Sequence, residues 1–226
     1  MTNNIVYLLR QILKAAFGLF LFAFGVYLTI CANIGLAPWD CLSMGLSYHT
    51  PFGYGIVHTA ISIIILVIDV LLKEKIGFGT VLDALLVGNF VDFFRWLNFV
   101  PISQAIPLGV LLILAGLFIM AYGQYVYMSA GQGCGPRDAL LIALGKRFSR
   151  LPIGVVQTAL VGLALLVGWL LGGPVGIGTV ISVFGMGTAM QIVFHLLHFE
   201  PRNITHQNLI EAVQTLHQNT PENTSL

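Results

Sequence analysis

Charge is what this sequence has least of: Asp, Glu, Lys and Arg make up 8% of 226 residues, against roughly 25% in a soluble domain. So few charges cannot solvate a water-facing surface, and a 57% hydrophobic content makes lipid the expected solvent. Ten Lys and Arg balance nine Asp and Glu, which leaves no basic stripe to neutralise phosphates and argues against a nucleic-acid partner. Cysteine is scarce too. Cys31, Cys41 and Cys134 show no metal spacing and cannot all pair, so they read as small apolar fillers. No nucleophile with its base, no zinc set and no phosphate-binding loop is present, so no catalytic residue, metal or cofactor is expected and the chain is not read as an enzyme. The start, MTNNIVYLLRQILK, lacks a small-residue cleavage site, and the apolar run from Ala15 to Ala32 exceeds a signal-peptide core. It reads as a retained span.

Long apolar runs are what the sequence does have, near 14–32, 54–72, 79–98, 105–128, 152–171 and 178–198, each long enough for a tilted membrane-crossing helix. Two shorter segments, 38–48 and 136–147, cannot cross a ~30 Å hydrocarbon layer at 1.5 Å per residue. Six crossings with a cytoplasmic N-terminus put Arg10, Lys14, Lys73, Lys75, Arg137, Lys146, Arg147, Arg150 and Arg202 inside and leave Arg95 outside. Eight crossings would move Lys73 and Lys75 outside and weaken that bias. The expectation is therefore a multi-pass protein of a plasma membrane with both termini cytoplasmic. A short tail, 201–226, carries an amphipathic stretch from Thr205 to His217 expected at the membrane surface.

The chain also matches itself. At an offset of 98 residues, GLFLFAFGVYLTICANIGLAPWD from Gly18 aligns without a gap on GLFIMAYGQYVYMSAGQGCGPRD from Gly116. Shifted by one more residue, Gly55 matches Gly154, Thr59 matches Thr158, and GFGT at Gly77 matches GIGT at Gly176. Residues 1–100 and 101–200 thus read as two copies of one unit: span, Gly-Pro turn, short helix, span, Gly-x-Gly-Thr turn, span. Three crossings per copy would invert the second relative to the first. The expected fold is an all-α integral membrane protein, with six transmembrane helices as two inverted three-helix repeats, each carrying an extra short partial or interfacial helix. Inverted repeats recur in secondary transporters, whose binding sites lie near the midplane between the copies.

The segments NIGLAPWDCLSMGLS, GQGCGPRDALLIAL and GGPVGIGT resemble the YczE/YyaS/YitT group of bacterial membrane proteins, and the YczE branch in particular, over roughly residues 10 to 198. The resemblance implies a membrane location but no agreed substrate, and it carries no binding or catalytic residues onto this chain.

The function expected from these features is a small-molecule or ion transporter with a polar site between the repeats. The alternative is a membrane accessory or assembly protein that transports nothing. Beyond the bilayer, the partner expected is the transported species, and homo-oligomerisation is left open. Pro38 and Pro136 suit the first turn of the two short helices, and Gly35 and Gly133 the turns before them. Asp40 and Asp138 either stabilise those helix N-termini or face a shared polar pathway. Arg137, at the position matched by Trp39, is either an interfacial anchor or an electropositive mouth. Asp83 lies at membrane depth without a local partner, whereas Asp92 has Arg95 three residues on. His58, matched by Gln157, either bonds a neighbouring helix or carries protons. Gln124, Gln191 and His195 complete the set of candidate polar lining residues.

Overall fold

The computed structural model describes residues 2–74 and 76–200, so the tail from 201 to 226, with its amphipathic stretch, lies outside the described residues. Among them there are eight α-helices and no strand. They are α1 (Thr2–Ala32), α2 (Pro38–Ser47), α3 (Tyr54–Leu71), α4 (Phe78–Leu97), α5 (Ile106–Met128), α6 (Pro136–Arg147), α7 (Ile153–Leu170) and α8 (Ile177–Leu196). Five of these, namely α1 from Val6 onward, α3, α5, α7 and α8, are long and apolar enough to cross a membrane. At 20 residues α4 matches α8 in length but carries Asp83, Asp92 and Arg95. In one respect the helices differ from the hydropathy reading: α1 begins at Thr2, well before the apolar run. Leu, Arg, Gln and Lys in that stretch are all good helix formers, and hydropathy registers lipid contact, not helix.

Local chemistry sets the helix ends. Pro38 and Pro136 open α2 and α6, where a missing amide hydrogen leaves no bond unmade. Thr80 and Thr179 accept from the amides of Gly77 and Gly176, closing the first turns of α4 and α8. Asn98, at φ 46°, ends α4 in the left-handed conformation.

The core is a close pairing of α1 with α5, flanked by α4 against α1 and α8 against α5. Glycine allows that pairing. A β-carbon on Gly18 would lie 2.8 Å from the carbonyl oxygen of Gly123, and one on Gly123 2.7 Å from that of Gly18. Gly25 and Gly116 meet the same way, at 2.6 and 2.8 Å. Phe20, Phe24, Tyr27, Phe94 and Phe99 stack where α1 meets α4, with ring centroids 4.9 to 6.4 Å apart.

The Gly-x-Gly-Thr segments do more than turn the chain. The Gly79 amide donates to the Gln132 carbonyl at 2.7 Å, and the Gly178 amide to that of Ile34 at 2.8 Å. Each helix start thereby docks on the glycine turn that precedes the short helix of the other half. Those turns require glycine, because Gly35 and Gly133 have φ of 113° and 110° and a β-carbon on Gly35 would reach the Gly176 nitrogen at 2.5 Å. Gly35→Ala and Gly133→Ala are each expected to cost about 1–3 kcal/mol, read as a fall in unfolding temperature in detergent. Gly162→Ala, where nothing lies within 4 Å, should stay within about 0.5 kcal/mol of the parent.

Two side-chain contacts mark opposite ends of the bundle. His49 Nε2 lies 3.1 Å from the Leu171 carbonyl oxygen at one end. Lys146 Nζ donates to the Glu74 carboxylate at 2.8 Å at the other, separated from the first by the length of α3, about 27 Å.

Candidate functional site

The N-termini of α2 and α6 converge in the middle of the bundle, beside a cavity of about 650 Å³. That volume suits a small-molecule site. Asp40, Asp138, Arg137, His58, Gln157, Gln124 and Asp83 all line it, together with Pro38 and Pro136. Gly35 and Gly133 are not among the lining residues; they sit in the interhelical docks behind it. Gln191 and His195 are corrected: they border a separate surface depression with His198 and Phe199. They lie toward the C-terminal end of α8, past Met190, the last residue of that helix to line the central cavity.

The cavity centre is held by one chain of polar contacts. Tyr54 donates its hydroxyl hydrogen to Asp40 Oδ1 at 2.8 Å, and its oxygen lies 3.2 Å from His58 Nδ1. Tyrosine has one such hydrogen, and it goes to Asp40. Arg137 Nη2 lies 3.3 Å from Nε2 and 3.4 Å from Nδ1 of His58, about equally far from both, so the guanidinium sits against the ring. His58 thus bridges Arg137 of α6 to Tyr54 of α3 and so to Asp40 of α2. Asp40, Tyr54 and His58 are all buried, so each of these bonds replaces a lost contact with water. The Arg137 guanidinium also lies over the Trp39 ring, 5.0 Å from its centroid. Arg137, half-buried, thus reaches toward α2 and α3.

Asp83 and Asp138 stand apart from that chain. Among the described residues neither carboxylate has a hydrogen bond or ion pair, although both line the cavity. They flank Gly135: a β-carbon there would lie 2.7 Å from Asp83 Oδ2 and 3.8 Å from Asp138 Oδ2. Ser182 of α8 lines the same space at 3% exposure, and its hydroxyl oxygen has no hydrogen-bond partner.

Asp92 does something else. It pairs with Arg95 at 3.5 Å and accepts from the Gly55 amide at 3.0 Å, pinning the start of α3 to α4. There Gly55 and Gly88 approach so closely that a β-carbon on either would collide with the other's carbonyl oxygen. The glycines aligned with them in the sequence, Gly154 and Gly187, have nothing within 4 Å. While α3 packs along α4, α7 and α8 do not form such a pair, and the cavity reaches the surface between them past Gln157, Thr158, Val183 and Phe184, all exposed.

Two participants, Trp39 and Tyr54, and one buried acid outside the cavity were missed by the sequence reading. Trp39 entered it only as the residue matched to Arg137, and Tyr54 is matched to Ile153, so neither appeared as a polar pair. Asp69 sits in the apolar run IIILVIDVLL of α3, fully buried with neither carboxylate oxygen hydrogen-bonded. An acidic residue in such a run was itself a signal. It does not line the cavity.

A family model described as a family of unknown function (DUF6198) matches residues 9–195. The chain belongs to this family. It is 30% identical over 181 residues to an uncharacterized protein of Haemophilus influenzae, covering 80% of this chain and 82% of that one. It is 30% identical over 178 residues to the uncharacterized membrane protein YczE of Bacillus subtilis, covering 77% and 80%. YyaS of the same organism is 28% identical over 198 residues, covering 82% and 94%. No solved structure matches. These relatives and the five apolar helices make the chain a membrane protein of the YczE and YyaS group.

Proposed function

We propose that the protein is a secondary transporter, carrying a small molecule or ion through the central cavity between two inverted three-helix halves that cross the membrane six times. The observation that carries this reading is the unequal packing around the cavity: the α3–α4 seam is shut at Gly55 and Gly88, while the matching α7–α8 seam is open at Gly154 and Gly187. Two halves with one sequence pattern and two packings are what a transporter caught in one of its two states would contain.

Several contacts support an inverted pair. Gly18 meets Gly123 as Gly116 meets Gly25, and the Gly79 bond to Gln132 mirrors that of Gly178 to Ile34. Trp39 and Arg137, matched in the self-alignment, touch each other, which two equivalent residues do only close to the axis relating them. The polar groups of α4 fit a crossing helix, because Asp83 faces the cavity and Asp92 is tied to Gly55 and Arg95. With the positively charged loops inside, the shut seam faces outward and the open one faces the cytoplasm.

Single cysteines in a background lacking Cys31, Cys41 and Cys134 test this arrangement. Those at 49 and 173 should react with a membrane-impermeant reagent from outside, and those at 74, 147 and the cavity position Gln157 from the cytoplasm. If 49 and 147 react from the same side, the inverted arrangement is wrong. A cavity cysteine sealed from water on both sides would move the protein to the accessory reading.

A further inference from the structure

We infer that the cavity binds a monovalent organic cation with an apolar body, its charge held between Asp83 and Asp138. This deepens the transporter reading, since it names the class of molecule the same cavity would take.

Charge balance comes first. Among the described residues lining the cavity there are three carboxylates, Asp40, Asp83 and Asp138, and one cationic side chain, Arg137. The N-termini of α2 and α6 add roughly half a positive charge each. With all three carboxylates ionised, roughly one negative charge is left over, which one positive charge from a ligand would balance and two would not. The absence, among the described residues, of any group of three or more metal-ligating side chains points the same way, away from a divalent metal.

The position of that charge follows from the hydrogen bonds. Asp40 is already satisfied by Tyr54, and Arg137 is engaged by His58 and Trp39. Asp83 and Asp138 accept nothing, and Gly135 lets both carboxylates come together beside it, since a β-carbon there would lie 2.7 Å from Asp83 Oδ2. In the same lining, the unbonded hydroxyl of Ser182 offers a further acceptor. Around this polar spot the walls are thioether, aromatic and aliphatic, with Met120, Met186, Met190, Phe22 and Leu165 among them. An inorganic ion would leave that apolar volume unfilled, whereas an ammonium carrying hydrocarbon or aromatic groups matches both parts. Methionine and aromatic faces also receive such cations favourably.

The test uses the full chain in nanodiscs and a pair of probes of one shape and opposite charge, tetraphenylphosphonium and tetraphenylborate, followed by isothermal titration against empty discs. Tetraphenylphosphonium should bind saturably at one site, and tetraphenylborate should not. Asp83→Asn and Asp138→Asn should each weaken the cation about tenfold or more, with Glu74→Gln, which removes only the Lys146 pair at the end of the bundle, leaving it unchanged. Ser182→Asp, which adds a carboxylate to the same lining, should tighten it about fivefold and so gives an answer even where an asparagine variant fails to fold. Equal or tighter binding of tetraphenylborate, or cation affinity that survives the double asparagine variant, would overturn the inference. Its failure is separable from that of the transporter reading: cytoplasmic access to Gln157 without cation binding removes only the ligand class, and carboxylate-dependent binding in a cavity reached from neither side removes only transport.

Discussion

Cysteines placed at Gly154 and Gly187, in a chain lacking its three native cysteines, should form an intramolecular disulfide on mild oxidation, although nothing lies within 4 Å of either position in this structure. A disulfide needs α-carbons within about 7 Å, so it can form only if α7 and α8 close as α3 and α4 already do. Closure there should open the opposite seam. The Gly55 amide, bonded to Asp92 at 3.0 Å, and the α3 and α4 residues around Thr59 and Gly88 should then lose hydrogen-exchange protection. A tenfold or larger change is expected, equivalent to about 1.4 kcal/mol, with the reverse change in α7 and α8, and reduction should restore the original pattern. Two cysteines that alkylate readily but never bond would show that the α7–α8 gap is a fixed feature. A bond that leaves exchange in α3 and α4 untouched would also count against alternating seams, since the two would then not be coupled.

Loss of Arg137 is the second large effect expected. Arg137→Gln removes the one cationic side chain among the described lining residues, the donor to His58 and the cation over Trp39. Fully buried ion pairs cost about 3–5 kcal/mol to break, and the open side of this cavity admits water, so a loss nearer about 2 kcal/mol is expected. The decisive measurement is rescue. If the loss comes from uncompensated carboxylates, adding Asp83→Asn or Asp138→Asn should restore much of the unfolding temperature. If it comes from lost packing on Trp39 alone, neither should help, and Arg137→Lys should recover little in either case because a lysine cannot stack in the same way.

Much of the fold was legible without coordinates, for reasons visible in single segments. Helix bounds came within a residue or two for α2 through α8, because a membrane helix must satisfy its own backbone and cover its length with apolar side chains, and both leave their mark in the sequence. The glycines at 18, 25, 116 and 123 lie on one stripe of each helix, and helices meet where side chains are absent. The seven polar candidates, which line one cavity here, were picked out because a polar group at membrane depth is costly and so informative by itself. Gln191 and His195 passed that filter too and turned out to border another depression. Polarity at membrane depth marks a residue as unusual without saying which neighbour it meets.

Composition and periodicity by themselves determined the solvent, the helical class and the positions of the short helices, since each of these depends on local backbone and side-chain chemistry. Only the tertiary structure decided that Arg137 turns inward onto Trp39 and His58, that Tyr54 joins Asp40 to His58, and that Asp83 and Asp138 share the space beside Gly135. Apart from the one-turn step from Tyr54 to His58, those relations join different helices, and no local preference encodes them. The same holds for the open seam. Gly154 and Gly187 match Gly55 and Gly88 residue for residue, so the glycines alone cannot say which pair is closed; the assembled contacts decide it, Asp92 on the Gly55 amide among them.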